Sequence, residues 1–182
     1  MRTEILLAGT GGRGVILAGA LFSKAASKAG LNASYSAIYG AEVRGGLTAA
    51  EIVVSPELID FPMVEEPFIS FAFDQRSYDA YVLPKEPKRL VLLDGDFVQT
   101  KRQHSAEVRR VPFTVLVSRE LGNERVANLA VLGYLASITG LFGPEEMAAT
   151  LREDVSPKFY EVNLRAFELG YSLGERDGRL ER

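Results

Sequence analysis

The sequence predicts an α/β fold in one domain, and three observations lead to that prediction. The chain has 182 residues, which is the size of a single domain. A short apolar run at residues 4–8 leads into a glycine turn and an amphipathic helix, and another extended stretch follows at 32–38. Apolar runs of strand length then alternate with helical patterns. We therefore expect a Rossmann-like, mostly parallel sheet with helices on both faces, beginning with a βαβ unit.

The remaining elements follow from the spacing of apolar residues and from residues that begin helices. Apolar residues at helical spacing predict the first helix at 15–29. Further strands are predicted at 48–54, 68–73, 89–94 and 107–111, with a short helix or a loop at 74–83. A broad apolar face predicts a helix at 124–139. Pro144 and Pro157 are suited to the first turns of two more helices.

The chain shows no internal repeat and no low-complexity linker that would divide it. We expect residues 1–175 to form the domain and residues 176–182 to form a charged, flexible tail. The first residues run straight into an apolar strand, without a charged leader or a cleavage site, which makes the cytoplasm the expected location. No stretch has the pattern of a membrane span, so no membrane association is expected.

The residue types that the chain lacks limit its chemistry. It has no cysteine and a single histidine, His104. Without a thiolate it cannot ligate an iron–sulfur cluster, form a disulfide or use a cysteine nucleophile, and a histidine-rich metal site is excluded as well. We therefore expect no metal ligand and no catalytic residue on this chain, so any redox chemistry belongs to a bound cofactor or another chain. The net charge of −3 gives no reason to expect nucleic acid.

The first candidate site is the glycine turn after the first strand. Residues 9–14, Gly-Thr-Gly-Gly-Arg-Gly, fit the pattern Gly-x-Gly-x-x-Gly, in which small residues let the backbone approach a phosphate at a helix N-terminus. The acidic residue that an NAD site carries at the end of the second strand is missing, because the first acid after the turn is Glu42. The alternative is that the glycines only permit tight packing of strand against helix.

Arg13 is the unusual residue of this turn. A cation in the first turn of a helix opposes the helix dipole, at a cost of about 0.3–1 kcal/mol when it is exposed. An anionic ligand, or a carboxylate of a partner chain, would compensate that cost. The alternative is that Arg13 simply points into water.

The second candidate site is the segment at residues 39–46, Tyr-Gly-Ala-Glu-Val-Arg-Gly-Gly. It follows the second strand, so it should emerge beside the glycine turn at the carboxyl end of the sheet. Its glycines allow unusual backbone conformations, while Glu42 and Arg44 could recognise polar groups or a neighbouring chain. The alternative is a mobile surface loop with an internal contact between Glu42 and Arg44.

Three further polar residues have simpler interpretations. Asn123 is expected to cap the helix at 124–139, and Asn128 is expected to bond to protein rather than to ligand. His104 lies in a basic segment at 101–105 and is expected to be a solvated loop residue without a catalytic role.

Taken together, several motifs resemble one family over nearly the whole chain. They are the glycine turn with Arg13, the segment at 39–46, Leu-Gly-Asn-Glu-Arg-Val-Ala-Asn-Leu-Ala-Val-Leu-Gly at 121–133, and Lys158 with Glu161 and Asn163. In this order they resemble the gamma subunit, or gamma domain, of the 2-oxoacid:ferredoxin oxidoreductases. That family usually has glutamine where this chain has Arg13, so this chain departs from the family pattern at that position and we expect the role of the glutamine to be altered here.

The resemblance implies a Rossmann-like domain inside a multi-subunit enzyme. In such enzymes thiamine diphosphate attacks the 2-oxoacid, carbon dioxide leaves, electrons pass through iron–sulfur clusters to ferredoxin, and coenzyme A takes the acyl group. The alpha and beta subunits bind thiamine diphosphate and Mg, and 4Fe–4S clusters lie on the beta subunit and on a ferredoxin-like delta subunit where one is present. The gamma domain packs beside this site and helps to accommodate coenzyme A. An isolated chain would be inactive and would bind none of the other cofactors.

Within this resemblance, the two glycine-rich segments should form one surface that meets the alpha subunit and the phosphates of coenzyme A. The predicted site residues are Gly9, Gly11, Gly12, Arg13, Gly14, Glu42, Arg44, Gly45 and Gly46. The form Glu-Val-Arg-Gly-Gly favours 2-oxoglutarate over pyruvate as the 2-oxoacid. Two alternatives stay open. A free-standing NAD-binding oxidoreductase would bind a nicotinamide nucleotide by itself, and a pure assembly module would affect activity only as far as it affects assembly.

Overall fold

The computed structural model describes residues 2–40, 45–100 and 102–180. In chain order its elements are β1 (Thr3–Thr10), α1 (Val15–Lys28), β2 (Asn32–Tyr39), β3 (Leu47–Ser55), β4 (Ile69–Ala72), α2 (Gln75–Ser77) with a π-helical turn (Tyr78–Val82), β5 (Leu90–Asp94), β6 (Glu107–Val111), α3 (Phe113–Leu121), a 3-10 turn (Glu124–Val126) leading into α4 (Ala127–Thr139), α5 (Pro144–Asp154) and α6 (Pro157–Asp177).

The strands form one sheet in the order β2-β3-β1-β4-β5-β6. The strands β1, β4, β5 and β6 are parallel neighbours, whereas β3 is antiparallel to both β1 and β2. The α/β class and the mostly parallel sheet are therefore confirmed. The expected βαβ unit is wrong in one respect. The strand β2 runs in the same direction as β1 but does not pair with it, because the chain turns back after β2 and β3 takes the place beside β1.

The two faces of the sheet carry unequal layers of helix. Ile5 and Leu7 of β1 belong to a core shared with α1, α3, α4, α5 and α6. Leu6 and Ala8 belong to a smaller core on the opposite face, where the π-helical turn contributes Tyr78. Alternate residues of one strand thus enter two cores, as the pleat of a strand requires. Helices lie on both faces, as predicted, but most of the helical layer covers one of them.

The helix α4 is apolar on nearly every side, and all of its residues are buried. Its contact with α6 is very close, because a Cβ atom on Gly133 would overlap the carbonyl oxygen of Phe167. A Cβ atom on Gly170 of α6 would likewise overlap the carbonyl oxygen of Ala130. Glycine at these positions lets the two backbones touch. The helices α4 and α6 are therefore in backbone contact where they cross.

The structure differs from the sequence prediction at two further places. The helix α3 was not predicted, because its first residues, Phe-Thr-Val-Leu-Val, have the composition of a strand. Residues 176–180 of the expected tail are also different, since α6 continues to Asp177 and Leu180 is buried. The N–H of Leu180 donates a hydrogen bond of 2.9 Å to the carbonyl oxygen of Ile138, so these residues pack on the domain.

None of the helices in the described part of the chain is long and apolar enough to span a bilayer.

Candidate functional site

The carboxyl ends of the parallel strands meet at one edge of the sheet, and the glycine turn lies at this edge. The strand β1 ends at Thr10, and β5 ends at Asp94. The N–H of Thr10 donates a hydrogen bond of 2.9 Å to Oδ2 of Asp74, which begins α2 after β4. The turn is thus tied to the neighbouring strand connection. In parallel α/β sheets this edge is where ligands bind.

The N-terminus of α1 is open to an anion. Gly14 begins the helix with a φ of 71°, which favours glycine. A Cβ atom at this position would also lie 2.6 Å from Nδ2 of Asn128 on α4. In the described residues no side chain caps α1, and its first turn has no acidic residue. The first N–H groups of the helix are therefore available as donors, and the helix dipole favours a negative charge there.

The second predicted segment reaches the glycine turn through its last residues. The N–H of Gly11 donates a hydrogen bond of 2.8 Å to the carbonyl oxygen of Gly46. A Cβ atom on Gly11 would lie 3.5 Å from the backbone of Gly45, so the two segments are in contact. Glu42 and Arg44 lie outside the described residues. The predicted residues that the structure brings together at this edge are Gly9, Gly11, Gly12, Arg13, Gly14, Gly45 and Gly46.

The side chain of Arg13 is held against aromatic rings. Its guanidinium carbon lies 5.0 Å from the centre of the Phe97 ring and 5.9 Å from the centre of the Phe73 ring. Cation–π contacts of this kind fix the side chain while they leave its N–H groups available. Among the residues that the structure describes, no hydrogen bond engages this guanidinium. Arg13 is therefore a positioned cation with unused donors, rather than a side chain that only points into water.

A cavity of about 260 Å³ opens beside the turn. Its lining residues are Gly11, Gly12, Arg13, Phe73, Glu124, Arg125 and Ala127. The cavity lies between the start of α1 and the start of α4, and Arg13 and Arg125 both line it. As predicted, Asn123 is a capping residue. Its Oδ1 accepts a hydrogen bond of 3.1 Å from the N–H of Arg125, in the 3-10 turn that leads into α4.

Sequence reasoning missed Glu124 and Arg125 as site residues. Both lie inside the motif at 121–133, but their spacing along the chain does not reveal that they face the glycine turn. Only the packing of α4 beside α1 brings them there. An acidic and a basic side chain in one cavity can recognise a ligand that carries both anionic groups and hydrogen-bond donors.

Asp94 is a buried carboxylate at the end of β5, with no exposed surface. Its Oδ2 accepts a hydrogen bond of 3.3 Å from the N–H of Thr114 and another from the Thr114 hydroxyl. Burial raises the pKa of Asp94 to about 6, although the two hydrogen bonds and the positive charge of Arg13 act in the opposite direction. Asp94 is therefore a buried carboxyl group whose pKa lies above the ordinary aspartate value.

The interpretation of His104 as a solvated loop residue is wrong. Its side chain has no exposed surface, and its Nε2 lies 2.6 Å from the hydroxyl of Tyr78. Its Nδ1 lies 3.5 Å from Oε1 of Glu86. The N–H and the hydroxyl of Ser105 donate to that same carboxylate and hold the pKa of Glu86 below its usual value. His104 thus anchors its loop to the smaller core, a contact that the polar sequence around it does not reveal.

The site suits an anion better than a metal ion or NAD. In the part of the chain that the structure describes, no group of three His, Asp or Glu residues could hold a metal ion. An NAD site needs an acidic residue at the carboxyl end of the strand beside β1. Here β1 lies between β3, which is antiparallel and begins at this edge with Leu47, and the parallel strand β4. The acidic residue after β4 is Asp74, and its two carboxylate oxygens already accept hydrogen bonds from the N–H groups of Thr10 and Ser77. The topology therefore counts against dinucleotide recognition of the usual kind.

Comparison with known proteins gives matches along the whole chain. Residues 4–173 match the family model described as pyruvate ferredoxin/flavodoxin oxidoreductase. The 2-oxoglutarate synthase subunit KorC of Methanocaldococcus jannaschii is 37% identical over 178 residues, which cover 96% of this chain and 95% of that subunit.

Two solved structures have a similar fold. The gamma subunit of a keto/oxoacid ferredoxin oxidoreductase from Geobacter sulfurreducens matches with a TM-score of 0.82 and 28% identity, over 96% of this chain and 99% of that one. The 2-oxoglutarate:ferredoxin oxidoreductase of Magnetococcus marinus matches with a TM-score of 0.85 and 21% identity, a likeness of fold. The match covers 99% of this chain but 33% of that one, so there a similar fold forms one part of a longer polypeptide.

Proposed function

Because the chain belongs to the pyruvate ferredoxin/flavodoxin oxidoreductase family, as a subunit of the gamma type, we propose that it serves in a 2-oxoglutarate:ferredoxin oxidoreductase. Such a complex converts 2-oxoglutarate and coenzyme A to succinyl-coenzyme A and carbon dioxide and passes two electrons to ferredoxin. The observation that carries the proposal is the match with a 2-oxoglutarate synthase subunit at 37% identity, over 96% of this chain and 95% of that subunit. The form Glu-Val-Arg-Gly-Gly of the segment at 39–46 supports the same substrate.

The proposed role of this chain within the complex is to bind the phosphates of coenzyme A at the glycine turn. Three features support it: the uncapped N-terminus of α1, the unused donors of Arg13, and Arg125 on the other side of the same cavity. A helix N-terminus combined with arginines is a usual arrangement for phosphate. The related Magnetococcus enzyme has been solved with coenzyme A bound. In the proposal, Glu42 and Arg44 belong to this surface and also meet the alpha subunit.

The groups that carry out the oxidation are proposed to lie on partner chains. The sequence has no cysteine that could ligate a cluster. Thiamine diphosphate and Mg are accordingly assigned to the alpha and beta subunits, and the 4Fe–4S clusters to the beta subunit and to a ferredoxin-like delta subunit if one is present. This chain would supply placement and electrostatics for coenzyme A and would be inactive alone. The complex is expected in the cytoplasm, where coenzyme A and ferredoxin are available.

The test is purification of the tagged chain from its native cells, followed by identification of its partners and an assay of ferredoxin reduction. We expect thiamine- and cluster-binding subunits in a fixed ratio to this chain. We also expect reduction that requires both 2-oxoglutarate and coenzyme A. Removal of this chain should abolish that activity, and adding it back should restore it.

Two results would contradict the proposal in different ways. Faster turnover of pyruvate, or of another 2-oxoacid, would leave the subunit assignment intact and overturn the substrate. Purification of the chain alone, with micromolar binding of NAD, would overturn the subunit assignment itself. As a control, the isolated chain should show neither bound iron nor ferredoxin reduction.

A further inference from the structure

The loop between β3 and β4, residues 56–67, exposes a group of apolar side chains. Its sequence is Pro-Glu-Leu-Ile-Asp-Phe-Pro-Met-Val-Glu-Glu-Pro. Leu58 is 83% exposed, Met63 51% and Phe61 45%. The other large apolar side chains that the described residues expose lie singly along the chain. Single exposed apolar residues are ordinary, whereas a group of them marks an interaction surface.

The backbone of this loop is held by residues at the start of β1. Arg2 donates hydrogen bonds of 2.8 Å and 2.7 Å to the carbonyl oxygens of Phe61 and Met63. Oε2 of Glu4 accepts a hydrogen bond of 2.7 Å from the N–H of Glu65. Arg2 and Glu4 also form an ion pair with each other at 2.7 Å. One charged pair thus binds the loop at three of its residues.

Two further elements hold the middle of the loop. The hydroxyl of Ser34, on β2, donates a hydrogen bond of 3.1 Å to the carbonyl oxygen of Pro62. Lys85 donates to the carbonyl oxygen of Val64, whose side chain is buried. The loop is therefore tied to the sheet at several points, while its exposed apolar side chains stay outside the core. A loop held in this way loses little conformational entropy when it binds another molecule.

The same loop is negatively charged, because it contains four acidic residues and no basic residue. The exposed carboxylates are those of Glu57, Asp60, Glu65 and Glu66. Lys88 forms an ion pair with Glu66. In the described part of the chain the other three carboxylates have no ion pair. The exposed apolar group is therefore surrounded by negative charge that this chain leaves uncompensated.

The loop lies at the edge of the sheet opposite to the glycine turn. Thr3, at the start of β1, pairs with Val54 near the end of β3. Thr10, where β1 ends and the glycine turn begins, pairs instead with Leu47 at the start of β3. A molecule that covers the loop therefore leaves the glycine turn open.

We propose that residues 56–67 dock onto a partner subunit whose contact surface combines an apolar hollow with lysine or arginine side chains. This inference rests on the proposed function, in which the chain works inside a complex. Charge complementarity selects this occupant. A second copy of the chain would place the same four carboxylates against these in a symmetric contact, and like charges oppose such an approach. A nucleic acid or an anionic membrane surface would be repelled as well.

The experiment measures binding of the purified chain to the remaining subunits of the complex. Leu58→Ser and Phe61→Ser each remove an exposed apolar side chain. We expect the Kd to rise by about tenfold to a hundredfold in each variant, as for central residues of an interface. Val115→Ser is the matched control, since Val115 is 48% exposed but lies on α3, and it should bind as the unmodified chain does.

Two additional measurements separate docking from a loss of folding. Leu58→Ser should keep the melting temperature of the free chain, because Leu58 is almost fully exposed. At saturating concentrations of this variant chain, KM for coenzyme A should be unchanged, because the loop lies at the opposite edge from the glycine turn. If Phe61→Ser does not fold, Leu58→Ser alone decides the question.

The charges of the loop have their own test. Asp60→Asn should slow association by about threefold at low salt and should reduce the dependence of the association rate on salt. Glu168→Gln is the control, since it removes an exposed carboxylate of α6, and it should leave both unchanged.

An unchanged Kd for folded Leu58→Ser and Phe61→Ser, in a complex that does assemble, would overturn this inference and leave the proposed function intact. A dimer of the free chain that Leu58→Ser dissociates would also overturn it, because the occupant would then be a second copy. Failure of the unmodified chain to bind any thiamine- or cluster-binding subunit would overturn the proposed function together with this inference.

Discussion

Asn128, near the start of α4, donates a hydrogen bond of 3.2 Å from Nδ2 to the carbonyl oxygen of Gly14. This contact confirms the expectation that Asn128 bonds to protein. The same carbonyl oxygen accepts a bond of 2.9 Å from the N–H of Ala18, which begins the helical ladder of α1. The two walls of the cavity are thus joined by one side chain. The groups that we propose bind an anion are therefore held in position before a ligand arrives, which would lower the entropic cost of binding.

The first prediction concerns Gly14. Replacement by alanine should cost about 2–4 kcal/mol of unfolding free energy, because the positive φ is strained for alanine and its Cβ atom would meet Asn128. Gly30→Ala is the matched control, since Gly30 also has a positive φ but nothing lies within 4 Å of a Cβ atom there. It should cost about 1 kcal/mol. Urea unfolding measures both, and equal losses would contradict a tight contact with α4.

The second prediction concerns the crossing of α4 and α6. Gly133→Ala should destabilise the domain by about 3 kcal/mol or more, because its Cβ atom has to displace the backbone of α6 at Phe167. Gly143→Ala is the control, because a Cβ atom there would come no closer than 3.5 Å to another atom. Its expected cost is about 1 kcal/mol or less. Similar unfolding midpoints for the two variants would show that the helices are not in backbone contact.

The third prediction concerns the buried histidine. Tyr78→Phe removes the hydroxyl that lies 2.6 Å from Nε2 of His104 and 2.8 Å from Oγ1 of Thr100. We expect a loss of about 1–3 kcal/mol, because buried polar atoms lose their partner. Tyr39→Phe serves as the control, since Tyr39 is 69% exposed, and it should be nearly neutral. If Tyr78→Phe is equally neutral in thermal unfolding, His104 does not anchor its loop.

The fourth prediction concerns the end of α6. The hydroxyl of Tyr134 donates a hydrogen bond of 2.5 Å to Oδ2 of Asp177, and Arg109 donates to the hydroxyl at 3.3 Å. Burial and the bond to Asp177 raise the pKa of Tyr134 to about 12, against the effect of Arg109. The protonated hydroxyl of Tyr134 therefore stabilises the folded state. This stabilisation is complete below the ordinary tyrosine pKa and is lost as the pH rises through about 12.

The variant Asp177→Asn removes the negative charge beside Tyr134 and should lower the pKa of that hydroxyl. Phenolate absorbance during an alkaline titration measures the change. An unchanged titration curve would mean that Asp177 does not contact Tyr134, as a frayed end of α6 would require.

The sequence predicted most of the fold because the signals are local. The apolar run before the glycine turn and the periodic helices reappear with boundaries shifted by a few residues, as for β1 and α1. The strand order could not be predicted, because a hairpin after β2 leaves no local signal of which strand β3 will join. The helix α3 was missed because its first residues have the composition of a strand, while a group that binds its first turn, the Asp94 carboxylate that accepts from Thr114, is distant along the chain.

The candidate site was predicted only in part, because only some of its residues are neighbours along the chain. The glycine turn and Arg13 belong to a contiguous pattern, which a sequence shows directly. Arg125 reaches the cavity only through the packing of α4, and the raised pKa of Asp94 comes from its burial. These are tertiary properties that no spacing along the chain encodes. The burial of His104 is another, since a polar segment carries it into the smaller core.

The most direct test of coenzyme A binding at the glycine turn is the apparent affinity of the assembled oxidoreductase for coenzyme A when Arg13 or Arg125 is replaced by alanine. We expect KM for coenzyme A to rise by about tenfold to a hundredfold in each variant, since each loses a charge-assisted contact with phosphate. Assembly and KM for 2-oxoglutarate should stay unchanged. Arg119→Ala, which removes an exposed arginine on α3, should leave all values unaltered. An unchanged KM for coenzyme A in both cavity variants, with intact complexes, would contradict binding of coenzyme A at the glycine turn.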